Sequence, residues 1–381
     1  MEKKYKILEV IDHFYPNITS EVRAVDNYAK NLYGKCDVTV ATLGSEQDMY
    51  NYVPYHVVCS GKDRATAKLY NQLCKSDYDI IHIHSIGTLV DMAIKLARAK
   101  DIPIVATLHH DYTVRIRQRF GTGMIASHKI KKYISTLNKL DEVFVSSPYV
   151  AEDLRIIGFT GKVSYLPLAS DLGSNKKNAE LANIANNEYK IGDEVVFVSM
   201  GNVRATKRID FALRSLKILK DRGVKFRYFI LGKGDAIPIL QAVAKDLGIS
   251  KRVHFLGYTP DEMCCALIAR ADLLLYPTTY DLYPLAKIEC AGFSTAGVYI
   301  KDSYVANEVF DNINGYIAEN NEKSYANRIF EALSDRRKLR EVGKNAYNDL
   351  YVTWESATEM LYTRLKGIIA EQEPLPDLLK R

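Results

Sequence analysis

Apolar runs of four to six residues alternate with longer amphipathic stretches along this chain, and the whole alternation is written out twice. In the first half, 5–11, 38–42, 56–59, 80–83, 104–108, 142–146 and 163–166 read as strands, and 22–33, 65–74, 88–99 and 149–156 carry helical period. Strands without polar alternation must be covered on both faces, which calls for a parallel sheet with helices on either side. The second half repeats the pattern, with strands at 195–200, 226–231, 253–256 and 273–276 and helices at 208–222, 238–247 and 261–270. Two further helices, 323–333 and 336–350, follow.

The fold expected is therefore α/β, as two Rossmann-like doubly wound domains, 1–170 and 195–353. The stretch 171–194 between them is polar, with Ser-Asn-Lys-Lys-Asn at 174–178, and reads as an interdomain linker. A last segment, 354–381, should form a C-terminal helix packing back on the first domain, ending in a loose tail with Pro374 and Pro376. Open α/β sheets bind ligands beyond the carboxyl ends of their strands, so the two lobes should face a central cleft.

A length of 381 residues suits two cores, and 47% hydrophobic with 26% charged residues is the composition of a globular protein. No apolar run reaches the roughly 18 residues of a membrane span, and the N-terminus leads straight into a strand, so a cytoplasmic protein is expected. The cysteines (Cys36, Cys59, Cys74, Cys264, Cys265, Cys290) lack framework or metal-ligand spacing and read as reduced packing residues. A net charge of +6 is modest and does not argue for a nucleic-acid partner. The distribution of that charge is more telling. Residues 113–140 hold Arg115, Arg117, Arg119, Lys129, Lys131, Lys132 and Lys139 with no acid, interleaved with Val114, Ile116, Phe120, Met124, Ile125, Ile130 and Tyr133. A solvated face is the plain reading; the apolar interleaving fits peripheral contact with an anionic inner membrane leaflet, near a lipid-linked acceptor.

Chemistry concentrates at 276–289. A strand ends at Tyr276, Pro277 turns the chain, and Asp281 precedes Glu289 by eight positions around the start of an expected helix. A helix N-terminus offers unpaired N–H groups and a positive dipole end to phosphate, while carboxylates accept hydrogen bonds from sugar hydroxyls. A nucleotide sugar needs both. Taken singly, each residue has a plainer role: Glu289 as a helix-surface acid, Asp281 as an N-cap, Gly232-Lys233-Gly234 as ordinary turn chemistry, Lys207 as a solvated lysine. His82 and His84 alternate along a strand and read as structural, outside the site.

These motifs resemble glycosyltransferase family 4, which has the GT-B fold and two acids separated by seven residues at this position. The resemblance runs through Ile80-Ile81-His82-Ile83-His84, Thr107-Leu108-His109, Gly232-Lys233-Gly234, Val253-His254-Phe255-Leu256-Gly257-Tyr258, Asp272 to Pro277, Asn314-Gly315-Tyr316 and Trp354. It implies a retaining transfer of a sugar from a nucleotide-diphosphate donor, a UDP- or GDP-sugar, to a glycan, lipid-linked or small glycoside acceptor, without a cofactor or an obligatory metal. Glu289 would bind the donor ribose, Asp281 the transferred sugar, Lys207 the diphosphate, and His109, with a smaller share for His110, the sugar or its leaving oxygen. Asn202, Arg204, Gly232, Tyr258, Leu282, Tyr283 and Leu285 would complete the donor site. The basic residues Arg115, Arg117, Arg119, Lys131 and Lys132 would form the acceptor or membrane surface.

The chain departs from the family pattern at four places. Asp281 stands for the usual glutamate, Pro284 for a glycine, Asn202 for an arginine that Arg204 would replace, and Thr19-Ser20 for a Gly-Gly loop. Two rival functions follow: a catalytically silent nucleotide-sugar-binding scaffold, or an epimerase or phosphorylase of the same architecture. A nicotinamide dehydrogenase fits poorly, because neither half opens with G-x-G-x-x-G.

Overall fold

The computed structural model describes residues 3–16, 19–44, 53–61, 66–173, 178–281 and 283–372. Residues 174–177 of the expected linker, Leu282, and the tail with Pro374 and Pro376 lie outside the described residues. The chain divides into two compact units, Met1–Pro167 with Trp354–Arg381, and Leu168–Thr353.

The first unit runs β1 (Lys6–Ile11), α1 (Ser20–Leu32), β2 (Asp37–Thr42), β3 (His56–Cys59), α2 (Thr66–Leu73), β4 (Ile80–Ile83), α3 (Val90–Lys100), β5 (Ile104–Thr107), α4 (Tyr112–Phe120), α5 (Met124–Leu137), β6 (Glu142–Val145), α6 (Pro148–Ile156) and β7 (Lys162–Tyr165). Its sheet is parallel in the order β3-β2-β1-β4-β5-β6-β7, so the strand order reverses between β1 and β4. That reversal opens a crevice at the carboxyl ends of β1, β4 and β5. Thr19, standing where the family carries a glycine pair, caps α1: its Oγ1 accepts the Val22 amide at 3.2 Å.

The second unit runs α7 (Asn178–Tyr189), β8 (Val195–Met200), α8 (Ile209–Asp221), β9 (Phe226–Leu231), α9 (Ile237–Asp246), β10 (Val253–Gly257), α10 (Asp261–Arg270), β11 (Leu273–Tyr276), α11 (Leu285–Gly292), β12 (Gly297–Ile300), β13 (Tyr316–Ala318), α12 (Glu322–Ser334) and α13 (Arg336–Leu350). Its sheet follows β10-β9-β8-β11-β12-β13, with the reversal between β8 and β11. The final helix, α14 (Trp354–Gln372), belongs to the first unit. Trp354 meets Tyr28 edge-on at 5.3 Å, and Arg364 reaches the buried Glu142 carboxylate at 2.8 Å.

Two stretches differ from the sequence reading. The expected connector 171–194 contains α7, which packs on α10 through a narrow stripe of Leu181, Ala185 and Tyr189 at helical spacing. Asn186 accepts from the Arg270 guanidinium at 2.7 Å, so polar side chains, which made the segment look like a linker, are part of the packing. The basic stretch 113–140 forms two helices, and no residue of α4 is buried. No helix among the described residues is long and apolar enough to cross a membrane.

Candidate active site

In the second unit the loops after β8, β9 and β10 are stitched together at the carboxyl edge of the sheet. Gly201 N–H donates to Leu231 O at 2.9 Å, Val203 N–H to Lys233 O at 2.9 Å, and Gly232 N–H to Gly257 O at 2.8 Å. The glycines of Gly232-Lys233-Gly234 are required by this contact. Gly232 has φ of +138°, and a Cβ there would lie 1.9 Å from Gly201 O; one at Gly234 would lie 1.9 Å from Val203 O. Lys233 reaches over the ring of Tyr258, which is exposed at the rim of the same edge.

Lys207 ends a short helical turn, Ala205–Lys207, between β8 and α8. Its ammonium donates to Tyr276 Oη at 2.9 Å and pairs with the Asp281 carboxylate. The Tyr276 hydroxyl also donates to Asp281 Oδ2, at 2.6 Å. Asp281 in turn accepts the Tyr283 amide at 3.1 Å, shaping the entry into α11. Arg208, with φ of +51°, locks the turn from behind by donating to Pro277 O at 3.1 Å.

Asn202 and Lys207 line a small pocket with Gly201, Met200 and Tyr276. Arg204 does not join them. It lines a separate concavity of about 490 Å³ with Arg208, Arg214 and the apolar edge of α9. Asn202 and Arg204 are both exposed on either side of the buried Val203, as residues two apart in extended backbone should be.

Pro284 is the N-cap position of α11 and offers no side-chain cap; its carbonyl accepts the Lys287 amide at 2.9 Å. Leu285 opens the helix and is half-buried, as is Tyr283. Glu289 lies further along α11, half-buried, on the side facing α10. There burial, aided by the Glu289 carboxylate, pushes the Cys264 thiol up to about 12. Leu282 is outside the described residues.

In the first unit His109 follows β5 and is 8% exposed. Its Nε2 lies 2.9 Å from His84 Nδ1, and His84 Nε2 lies 2.6 Å from Glu9 Oε2. His82 Nε2 meets Thr107 Oγ1 at 2.7 Å, and His82 Nδ1 lies 2.9 Å from the same Glu9 oxygen. His82 and His84, set aside in the sequence, thus stand directly behind His109. The available signal was Glu9, an acid between the apolar pairs Ile7-Leu8 and Val10-Ile11 of β1. Glu9, His82 and His84 are also a donor set of the type that holds metals, within 4.8 Å of one another; His84 Nε2 is hydrogen-bonded to Glu9 Oε2, while His82 Nδ1 and Glu9 Oε1 are buried without a hydrogen-bond partner among the described residues. His110 points elsewhere, its Nε2 2.8 Å from Glu21.

Arg115, Arg117, Arg119, Lys131 and Lys132 are all exposed on α4 and α5. Beside them Met124 is 90% and Ile125 63% exposed, and Arg119 and Lys129 lie over the Phe120 ring.

Comparison with known proteins matches residues 182–349 to the model of glycosyl transferases group 1 and residues 22–173 to that of glycosyltransferase family 4. An uncharacterized glycosyltransferase of Methanocaldococcus jannaschii is 24% identical over 287 residues, 73% of each chain. A GDP-mannose-dependent alpha-(1-6)-phosphatidylinositol dimannoside mannosyltransferase of Mycobacterium tuberculosis is 24% identical over 251 residues, 64% of each chain. Among solved structures, Anabaena HepE in complex with UDP and glucose superposes with a TM-score of 0.74 at 15% identity, covering 95% of this chain and 99% of that one. Matched over residues 22–173 and 182–349 by these two models, and folded as two doubly wound units, the chain belongs to glycosyltransferase family 4, with the GT-B fold and a hexosyltransferase activity.

Proposed function

We propose that this enzyme transfers a sugar, with retention of configuration, from a UDP- or GDP-sugar to a glycan or lipid-linked acceptor in surface polysaccharide or glycoconjugate synthesis. The observation that carries the donor reading is the Lys207–Tyr276–Asp281 cluster beside the glycine-bridged loops and the start of α11. A departing nucleoside diphosphate gains negative charge as the glycosidic bond breaks. In this reading Lys207 neutralises it as a fixed cation, with amides at the α11 N-terminus adding partial positive charge. Catalysis would then need no obligatory metal. In this reading Asp281 accepts from hydroxyls of the transferred sugar once Lys207 turns to phosphate, and Glu289 accepts from the ribose. HepE was solved with UDP and the mycobacterial relative is named for GDP-mannose, which supports a nucleotide-sugar donor and leaves both bases in play.

The acceptor reading rests on α4 and α5. A helix with no buried residue, flanked by exposed Met124, Ile125 and Phe120 among arginines and lysines, suits peripheral docking on anionic lipid. The relative that acts on a phosphatidylinositol dimannoside agrees with a lipid-linked acceptor. Thermal-shift measurements with UDP, GDP, CDP and ADP, with and without sugars attached, test the donor. One nucleotide should raise the melting temperature clearly; stabilisation by none would move the chain to the silent-scaffold reading.

A further inference from the structure

Three strands of the first unit, β1, β4 and β5, bring Glu9, His84 and His109 into one hydrogen-bonded line, and the direction of every proton along it can be deduced. Glu9 and His84 are 0% and 1% exposed, so neither is served by bulk water. A carboxylate only accepts; His84 Nε2, at 2.6 Å from Glu9 Oε2, must therefore donate. A neutral imidazole protonated at Nε2 carries a lone pair at Nδ1. His109 Nε2, at 2.9 Å from that lone pair, must donate in its turn. The remaining nitrogen of His109, Nδ1, is left unprotonated. It has no hydrogen-bond partner among the described residues and is not one of the fully buried unpaired atoms.

The surroundings hold the line in this state. Burial pushes His84 down to about 4 and His109 well below its ordinary value, with the neighbouring histidines adding to both. Burial opposes the Glu9 charge, but His82 and His84 outweigh it and hold the carboxyl at about 2. The groups facing the line are His82 beside His84 on β4, Tyr28 and Glu21 from α1, and His110, whose ring is engaged with Glu21. His82 Nε2 lies 2.7 Å from the Thr107 hydroxyl, and its Nδ1, although 2.9 Å from Glu9 Oε2, makes no hydrogen bond among the described residues, so His82 does not compete with His84 for the Glu9 oxygen. Nothing in this set favours reversing the line.

We propose that Glu9 and His84 are positioning residues that fix His109 as the Nε2–H tautomer, so that its Nδ1 lone pair accepts a hydrogen bond from a carbohydrate hydroxyl of the substrate. The proposal rests on the reading of His109 as a sugar-contacting residue. It makes His109 an acceptor of a hydroxyl proton, with specificity for a substrate that has an O–H to give.

The test uses the full chain labelled with ¹⁵N-histidine, its His109 signals assigned by loss in His109→Gln. At neutral pH the wild type should show a protonated Nε2 and a lone pair at Nδ1. Glu9→Gln supplies an amide that can donate to His84 Nε2, which permits the reversed line; the His109 proton should move toward Nδ1. With it kcat should fall roughly tenfold, the worth of one hydrogen bond, while nucleoside diphosphate affinity stays unchanged. His84→Asn, which keeps an acceptor near the former Nδ1, should retain the wild-type tautomer where His84→Leu does not. A proton on Nδ1 in the wild type overturns the proposal, as does an identical tautomer in wild type, Glu9→Gln and His84→Leu. If the tautomer behaves as stated but a deoxy substrate is used as well as its parent, the sugar-contacting reading of His109 falls and the positioning roles stand.

Discussion

Lowering the pH from about 7.5 to about 5 should weaken the first unit through His84, by an amount that follows from its burial. Burial is the main force that brings its folded pKa to about 4, against an unfolded value of about 6.5. Between these values the unfolded state binds a proton that the folded state refuses, so stability is full above about 6.5 and falls as pH drops toward 4. At pH 5 about 1.5 units of that window have been crossed, and at about 1.36 kcal/mol per unit the loss is about 2 kcal/mol. His109 is depressed as well and adds with the same sign. Glu9, held at about 2, keeps its full stabilising contribution above its unfolded value near 4.5 and begins to lose it only below, so it adds no pH dependence over this range. The assay is urea unfolding followed by tryptophan fluorescence, because the single tryptophan, Trp354, packs on Tyr28 inside this unit. His84→Asn removes the titrating ring, and its stability deficit relative to wild type should shrink by about 2 kcal/mol between pH 7.5 and 5. A deficit that stays constant over the range would refute the claim that His84 is buried as the neutral ring.

Four further outcomes are expected. Lys207→Ala should lower transfer by about two or more orders of magnitude, the scale for removing one stabiliser of transition-state charge; near-normal turnover would show that the diphosphate is held elsewhere. Glu289→Ala should abolish nucleoside diphosphate binding in calorimetry with little change in melting temperature, and unchanged affinity would remove its donor role. Gly232→Ala should cost both stability and nucleotide affinity, since its Cβ would meet Gly201 O at 1.9 Å; a variant that binds normally would mean the bridged loops do not shape the donor site. Neutralising Arg115, Arg117 and Arg119 together should weaken sedimentation with anionic vesicles, and wild-type protein that stays in solution beside such vesicles would end the membrane reading.

How much of this was legible in the sequence depends on the physical scale of each feature. Parallel strands buried on both faces write themselves as unbroken apolar runs, so 80–83 and 104–108 could be read as β4 and β5. Strands β12 and β13, four and three residues long, are too short to stand out from the turns around them, and only pairing with β11 and with each other defines them. Helix α7 was hidden because Asn186 and its neighbours make the stretch look solvated, whereas three apolar positions at fourfold spacing suffice once α10 is beside them. Arg204 shows the limit of spacing arguments in a loop: two residues from Asn202, it lines a neighbouring concavity beside Arg208 and Arg214, which spacing alone does not reveal.

The histidines carry the same lesson to the chemistry. His82 and His84 alternate as any strand pair would, and alternation says only that they share a face. Whether that face is a core or a site depends on Glu9, which stands opposite His82 in the register of β1 with β4, seventy-odd residues away along the chain. A carboxylate there costs several kcal/mol to bury unless it is paired. Replacing the whole group with apolar residues would relieve that cost, so on stability grounds alone the line from Glu9 to His109 is a poor solution. What it supplies is a defined proton at each nitrogen and a lone pair of known direction at Nδ1 of His109, which a hydrocarbon core cannot provide.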